Sequence, residues 1–160
     1  MIRLLPLAAL GIAFLGSGLA AEKYSGPRPP KPDVPYLLHA DNLIATEAGQ
    51  AREDRHGKSE SSYSVPGAAS PARTPLAEPI FLFESDKIPA ESLQLFRFEV
   101  KNGNREVVMA RKRNHPLRVT VKPLGDRLYR LEVNEGLGLE NGEYSLSPEG
   151  SNSVFCFGVY

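Results

Sequence analysis

The 160-residue chain contains one cysteine, Cys156, and no tryptophan. A lone cysteine cannot form an intramolecular disulfide, so packing alone must hold the folded part together. The three histidines, His39, His56 and His115, are scattered, and no two stand at metal-ligand spacing. Nucleophile elbows, phosphate-binding loops and zincin motifs are also missing from the sequence. We therefore expect a protein that is not an enzyme and has no cofactor or metal site.

The chain has one long apolar run, and it lies at the start of the sequence. A basic start, Met1-Ile-Arg3, precedes the apolar residues 4–15, and small residues lead up to Ala20. This order is typical of a secretory signal peptide, here residues 1–20, with a cut after Ala20 or alternatively after Ala21. A buried helix or membrane anchor is the other interpretation, but spanning a bilayer needs about 20 apolar residues. No second such run follows, so we expect a secreted or periplasmic protein with no transmembrane segment after processing.

Exported proteins commonly contain disulfides, but Cys156 has no partner within this chain. Its role therefore needs another explanation. It lies inside an apolar segment, where an unpaired cysteine usually behaves as a small buried hydrophobe. A reactive or intermolecular thiol is the alternative.

Proline and serine dominate residues 21–75. Five of the 14 prolines fall in residues 22–35, which favours an extended polyproline II spacer or, alternatively, a recognition ligand. Residues 58–79 are rich in serine and proline and poor in apolar side chains, which is typical of a linker. Helix-forming residues and a possible cap at Asp41 predict one short helix over residues 42–55. We therefore expect a largely disordered tail over residues 21–75.

Residues 76–160 show repeated alternation of apolar and polar side chains, which predicts β-strands. Asn102-Gly103 separates two such runs and predicts a tight hairpin, because both central residues of that turn need positive φ. Phe96, Phe98 and Val100 are predicted to share one buried face. The last strand is apolar on both faces. The predicted strands lie near residues 80–83, 96–101, 107–110, 117–122, 129–134, 143–147 and 153–160.

Leu139, Gly142 and Tyr144 stand in the order Leu-x-x-Gly-x-Tyr just before the last strand. This order resembles the tyrosine corner of immunoglobulin-like and fibronectin-III-like β-sandwiches, in which the tyrosine hydroxyl closes the preceding turn. The resemblance implies an all-β fold: a small seven-stranded antiparallel immunoglobulin-like sandwich over residues 76–160.

Basic residues concentrate around the predicted hairpin, although the chain as a whole has no net formal charge. They could contact an anionic polymer or a glycan. The simpler interpretation is a basic hairpin tip balanced by nearby glutamates. The candidate contact residues are Arg105, Arg111, Lys112, Arg113 and Arg118, with His115 among them.

These features together predict an exported, non-catalytic binding or structural module of the bacterial cell envelope. Its partner would be an unidentified protein or glycan of the envelope, and no nucleic acid is expected. The alternative is an accessory module that binds carbohydrate or an anionic polymer through the basic hairpin.

Overall fold

The computed structural model describes residues 23–110, 115–133, 136 and 138–160, and in these ranges the protein is all-β. The one helical element there is a single 3₁₀ turn, Ala90–Ser92. No helix in the described ranges is long and apolar enough to cross a membrane. The predicted signal peptide, residues 1–20, lies outside the described residues. The strands are β1 Tyr36–His39, β2 Asn42–Ala45, β3 Glu47–Gln50, β4 Arg52–His56, β5 Glu60–Pro66, β6 Arg73–Thr74, β7 Ile80–Glu84, β8 Leu93–Arg97, β9 Glu99–Lys101, β10 Asn104–Ala110, β11 Val119–Gly125, β12 Leu128–Val133, β13 Gly142–Pro148 and β14 Ser153–Val159.

These strands form three sheets. The front sheet has the order β11-β12-β7-β1-β2, the central sheet β3-β14-β13-β8, and the back sheet β4-β5-β10-β9. All pairings within these orders are antiparallel, and the short β6 adds a parallel pairing to β14. Among the described residues, eight strands, β7–β14, lie in residues 76–160, where seven were predicted, and six further strands lie before residue 76.

The central sheet is covered on both faces. Phe155, Phe157 and Val159 of β14 point into a first core shared with the front sheet. Val154 and Cys156 point the other way, into a second core shared with the back sheet. Because neighbouring side chains of a strand alternate between its faces, β14 supplies both cores. Both faces of β14 are apolar in the sequence because each face packs in a core.

The Asn102-Gly103 hairpin is confirmed. Both residues have positive φ, 50° and 76°, and they join β9 to β10 in register. The predicted burial of Val100 on the same face as Phe96 and Phe98 is wrong, since Val100 is 51% exposed. The chain leaves the central sheet at Phe98, so residues 96–101 belong to two strands in different sheets.

Three single residues carry the chain from one sheet to the next. Thr46 passes from the front to the central sheet and donates from both N and Oγ1 to the carbonyl of Pro35. Ala51 connects the central sheet to the back sheet, and its N–H donates to the carbonyl oxygen of Asn152. Phe98 connects the same two sheets, and its N–H donates to the carbonyl oxygen of Glu143. All three residues are buried, so each crossing is fixed by packing as well as by a hydrogen bond.

The predicted helix over residues 42–55 is wrong. This segment forms β2, β3 and β4, one strand in each sheet. Helix propensity amounts to only tenths of a kcal/mol per residue, and tertiary pairing overrides it. Here Ile44 packs on the first core and Ala51 enters the second.

The predicted disordered tail is also wrong for the described residues 23–75. The serine-rich segment is β5, which pairs with β4 on one side and with β10 on the other. The proline-rich segment is anchored by Asp33, whose carboxylate accepts the backbone N–H groups of residues 86–88 at 2.9–3.0 Å. Burial would raise the pKa of Asp33, but these hydrogen bonds outweigh it and lower the pKa. Hydrogen bonds to backbone groups order both segments, and amino-acid composition does not reveal such bonds.

Tyr144 makes the local contact that the tyrosine-corner resemblance implies. Its hydroxyl donates to the carbonyl oxygen of Glu140 at 2.8 Å and closes the turn before β13. Its ring lies in the first core, stacked on Phe157 with centroids 5.7 Å apart. The contact fixes the start of β13 against the core.

Phe157→Ala should lower the free energy of unfolding by about 3–5 kcal/mol, because a large ring is lost from a packed site. Phe157 is fully buried between Phe81 and Tyr144. Urea denaturation measures the change. The control Val100→Ala removes an exposed side chain and should change stability by less than about 0.5 kcal/mol. Similar losses in both variants would contradict the central position of β14.

Candidate functional site

A groove of about 330 Å³ opens between the central and back sheets. Its base is apolar and consists of Ala51, Phe98, Val107 and Val154, all members of the second core. We call this space the inter-sheet groove. It continues the second core to the point where side chains no longer fill the gap between the two sheets.

The central sheet contributes buried hydroxyls to the groove. Alternation along β13 places Tyr144 and Leu146 in the first core and Ser145 and Ser147 on the opposite face. The two hydroxyls lie 3.1 Å apart, and the residues are 1% and 8% exposed. Their mutual bond uses one of two hydroxyl protons, so the other proton can be donated to an atom in the groove.

The alternation of apolar and polar residues over 143–147 predicts that Ser145 and Ser147 face solvent, but both residues are buried, so that prediction is wrong. They do point away from the first core, as the alternation indicates. The back sheet covers them, because residues assigned to the tail fold over this face.

The neighbouring strand β8 adds an amide and an aromatic ring. Gln94 is paired with Ser147 in the ladder, and Phe96 is paired with Ser145. Both side chains are half-buried and line the groove. Polar and aromatic groups therefore stand side by side on the central sheet.

The back sheet contributes a charged pair and a second ring. Glu53 and Tyr63 lie opposite each other on β4 and β5, and both line the groove with Arg55. The Glu53 carboxylate accepts hydrogen bonds from Arg55 Nε at 3.0 Å, Ser61 Oγ at 3.3 Å and Tyr63 Oη at 3.4 Å. The hydrogen bond from Arg55 is the main reason that the pKa of Glu53 is lowered. The pair presents opposite charges that neutralise each other.

Sequence reasoning missed Glu53, Arg55 and Tyr63 because they fell in the predicted helix and linker. A signal was present in β5, where Tyr63 and Val65 alternate with Ser62 and Ser64. That period of two is typical of a half-buried strand.

Arg105, predicted to contact a polyanion, is buried and has a structural role. Its side chain is 1% exposed, and it forms a two-point ion pair with Glu47 at 2.6 and 3.0 Å. Its other bonds go to the carbonyls of Gly67 and Pro66 at 2.9 and 2.8 Å. These bonds tie β10 of the back sheet to β3 of the central sheet. The Arg105 guanidinium is therefore not accessible to an anion in solvent.

Arg118, the other basic candidate among the described residues, does not line the inter-sheet groove. Arg118 is exposed and, with His115, borders a separate pocket of about 360 Å³ beside β8. Arg111, Lys112 and Arg113 lie outside the described residues. Of the predicted patch, Arg118 and His115 are thus the described residues that solvent reaches.

Cys156 lies fully buried in the second core. Burial is the main effect that raises the pKa of its thiol to about 12, although nearby Arg105 opposes the shift. The reactive form of cysteine is the thiolate, so burial keeps this thiol inert near neutral pH.

Comparison with family models, with curated proteins and with solved structures finds no match for this chain.

The Arg105–Glu47 pair should contribute strongly to stability. Arg105→Ala should lower the free energy of unfolding by about 3 kcal/mol, because it leaves a carboxylate without its partner. Urea denaturation of both single variants and of the double variant with Glu47→Ala measures the coupling between the two side chains.

The pH dependence of the free energy of unfolding provides a second test of this coupling. The hydrogen bond from Arg105 lowers the pKa of Glu47 below its ordinary value of 4.5, against the opposing effect of burial. The stabilisation is therefore complete above pH 4.5 and is lost as the pH falls through the lower folded-state pKa. Arg118→Ala serves as the exposed control, with a change below about 0.5 kcal/mol. A coupling energy that stays constant down to about pH 2 would argue against the pair.

Proposed function

We propose that this protein is an exported, non-catalytic binding module of the bacterial cell envelope and that it takes its ligand in the inter-sheet groove. The groove supports this proposal by its combination of an apolar base with buried, hydrogen-bonding walls. Ligand sites typically have this composition and volumes of about 300–1,000 Å³. The groove, at about 330 Å³, is at the small end of that range.

The observation that carries the proposal is the pair of buried serines. A buried hydroxyl costs free energy unless it is hydrogen-bonded, and apolar side chains would seal this face better. On β14, the same face of the central sheet carries Val154 and Cys156. A polar, open site beside an apolar core is favourable when a ligand supplies the missing contacts.

The basic hairpin gives weaker support for a ligand. Arg105 belongs to a buried ion pair, and Arg118 lies on the far side of β8 from the serines. We therefore place the binding role in the inter-sheet groove, and the polyanion alternative rests on Arg118 and residues 111–113.

Gln94→Trp should close the groove, because Gln94 is a half-buried residue at its wall. In the mature wild-type chain, titration with 2-propanol and dioxane should shift the backbone amide resonances of Ser145, Ser147 and Val154. In Gln94→Trp these shifts should disappear. Two-dimensional ¹⁵N NMR spectra measure both.

The matched control is Gln50→Trp, which makes the same change at an exposed position on β3. It should keep the wild-type pattern of shifts. If the solvent probes shift residues scattered over the surface, or if Gln94→Trp responds like wild type, the groove is not a binding site.

Export is the second element of the proposal, and it predicts a processed N-terminus. Expressed with its own first residues in a bacterial host, the protein should be recovered outside the cytoplasm beginning at Ala21, or at Glu22 for the alternative cut. N-terminal sequencing and intact mass give the answer. A chain that keeps Met1 and stays in the cytoplasm would overturn this element while leaving the groove untouched.

A further inference from the structure

We infer that the inter-sheet groove takes an uncharged saccharide, an inference that rests on the proposed function and names the ligand class. Three properties of its lining carry it: internally balanced charge, hydrogen-bonding groups of both kinds, and aromatic rings on both walls. The first property disfavours charged ligands, the second disfavours purely apolar ligands, and the third fits the C–H face of a sugar ring.

Charge in the groove is balanced within the lining. Glu53 and Arg55 are joined at 3.0 Å, and the Glu53 carboxylate is further engaged by Ser61 and Tyr63. A charged ligand would have to compete with these existing contacts for its counter-ion. A neutral ligand leaves them intact, so the electrostatics favour an uncharged molecule.

The hydrogen-bonding groups of the groove match hydroxyls. Ser145 and Ser147 can both donate and accept, and the amides of Gln94 and Asn152 carry separate donors and acceptors. A sugar hydroxyl also donates and accepts, so it can satisfy either kind of partner. A purely apolar ligand would leave the buried serine hydroxyls without this compensation.

Aromatic rings line both walls. Phe96 lies on the central sheet and Tyr63 on the back sheet. The face of an aromatic ring is electron-rich, and it attracts the weakly positive C–H groups that cover one face of a pyranose. A volume of about 330 Å³ suits a ligand of about one or two sugar rings rather than a long polymer.

Isothermal titration of the mature full chain with glucose, N-acetylglucosamine and their β1,4-linked disaccharides tests the inference. Glucuronate, inorganic phosphate and acetyl-trialanine amide are the anionic and peptide comparators. We expect at least one neutral sugar to bind, and the anions and the peptide to bind at least tenfold more weakly. Amide shifts at Ser145 and Ser147 should locate the sugar in the groove.

The hydroxyls should contribute measurably to the affinity. Ser145→Ala and Ser147→Ala should each weaken binding of the neutral sugar by roughly fivefold, the effect of one neutral hydrogen bond. Ser64→Ala is the matched control, because Ser64 stands on the opposite face of β5 from Tyr63 and should leave the affinity unchanged. Gln94→Met, a half-buried change at the rim, should also weaken binding, and it serves if either serine variant unfolds.

The outcomes separate the two proposals. Tighter groove binding of glucuronate, phosphate or the peptide overturns the saccharide inference and leaves the groove as a ligand site. Sugar binding that is insensitive to the serine and Gln94 variants overturns the inference as well. If no probe, including the organic solvents, shifts the groove resonances, both the inference and the proposed function fail.

Discussion

The whole structure depends on a strand that has no free face. β14 lies inside the central sheet, with β13 on one edge and β3 and β6 on the other. Its side chains alternate between two cores, so each of its apolar residues has a packing partner from a different sheet. Space is tight there too, since a Cβ at Gly158 would lie 2.8 Å from Glu143 Oε1. With no disulfide to restrict the chain, this double burial is the main source of cohesion.

The back sheet is attached to this layer unevenly. At one end Arg105 of β10 binds Glu47 of β3, and the second core fills the gap with Val65 and Cys156. At the other end the facing side chains are Arg55 and Met109 on the back sheet and Gln94 on the central sheet, and the gap stays open. The groove is therefore the consequence of one sheet that is fixed firmly at one end and packed loosely at the other. Such a site is held by rigid strands rather than by loops, which favours a defined geometry.

Sequence reasoning works in this protein wherever the determining contact is local. The Asn102-Gly103 turn, the alternation along β14 and the hydrogen bond of Tyr144 all involve neighbours in the chain. It fails where one residue changes sheets, because Thr46 and Ala51 break the period of two without any turn signal. Strand β5 shows the same limit, since on one side it pairs with β10, whose residues are 38–50 positions away in the chain. The back sheet forms one wall of the groove, so a sequence analysis that does not predict this sheet does not predict the groove.

The polar lining of the groove conflicts with what packing alone would select. Val154 and Cys156 show that the back face of the central sheet accepts apolar side chains on β14. The adjacent strand β13 instead presents Ser145 and Ser147 to the same gap, although a hydroxyl there loses water and gains only one mutual bond. Natural sequences depart from the best local choice mainly at functional sites. The serines thus support the proposal that the open end of the gap binds a ligand, and their capacity both to donate and to accept favours a ligand that carries hydroxyls rather than charge.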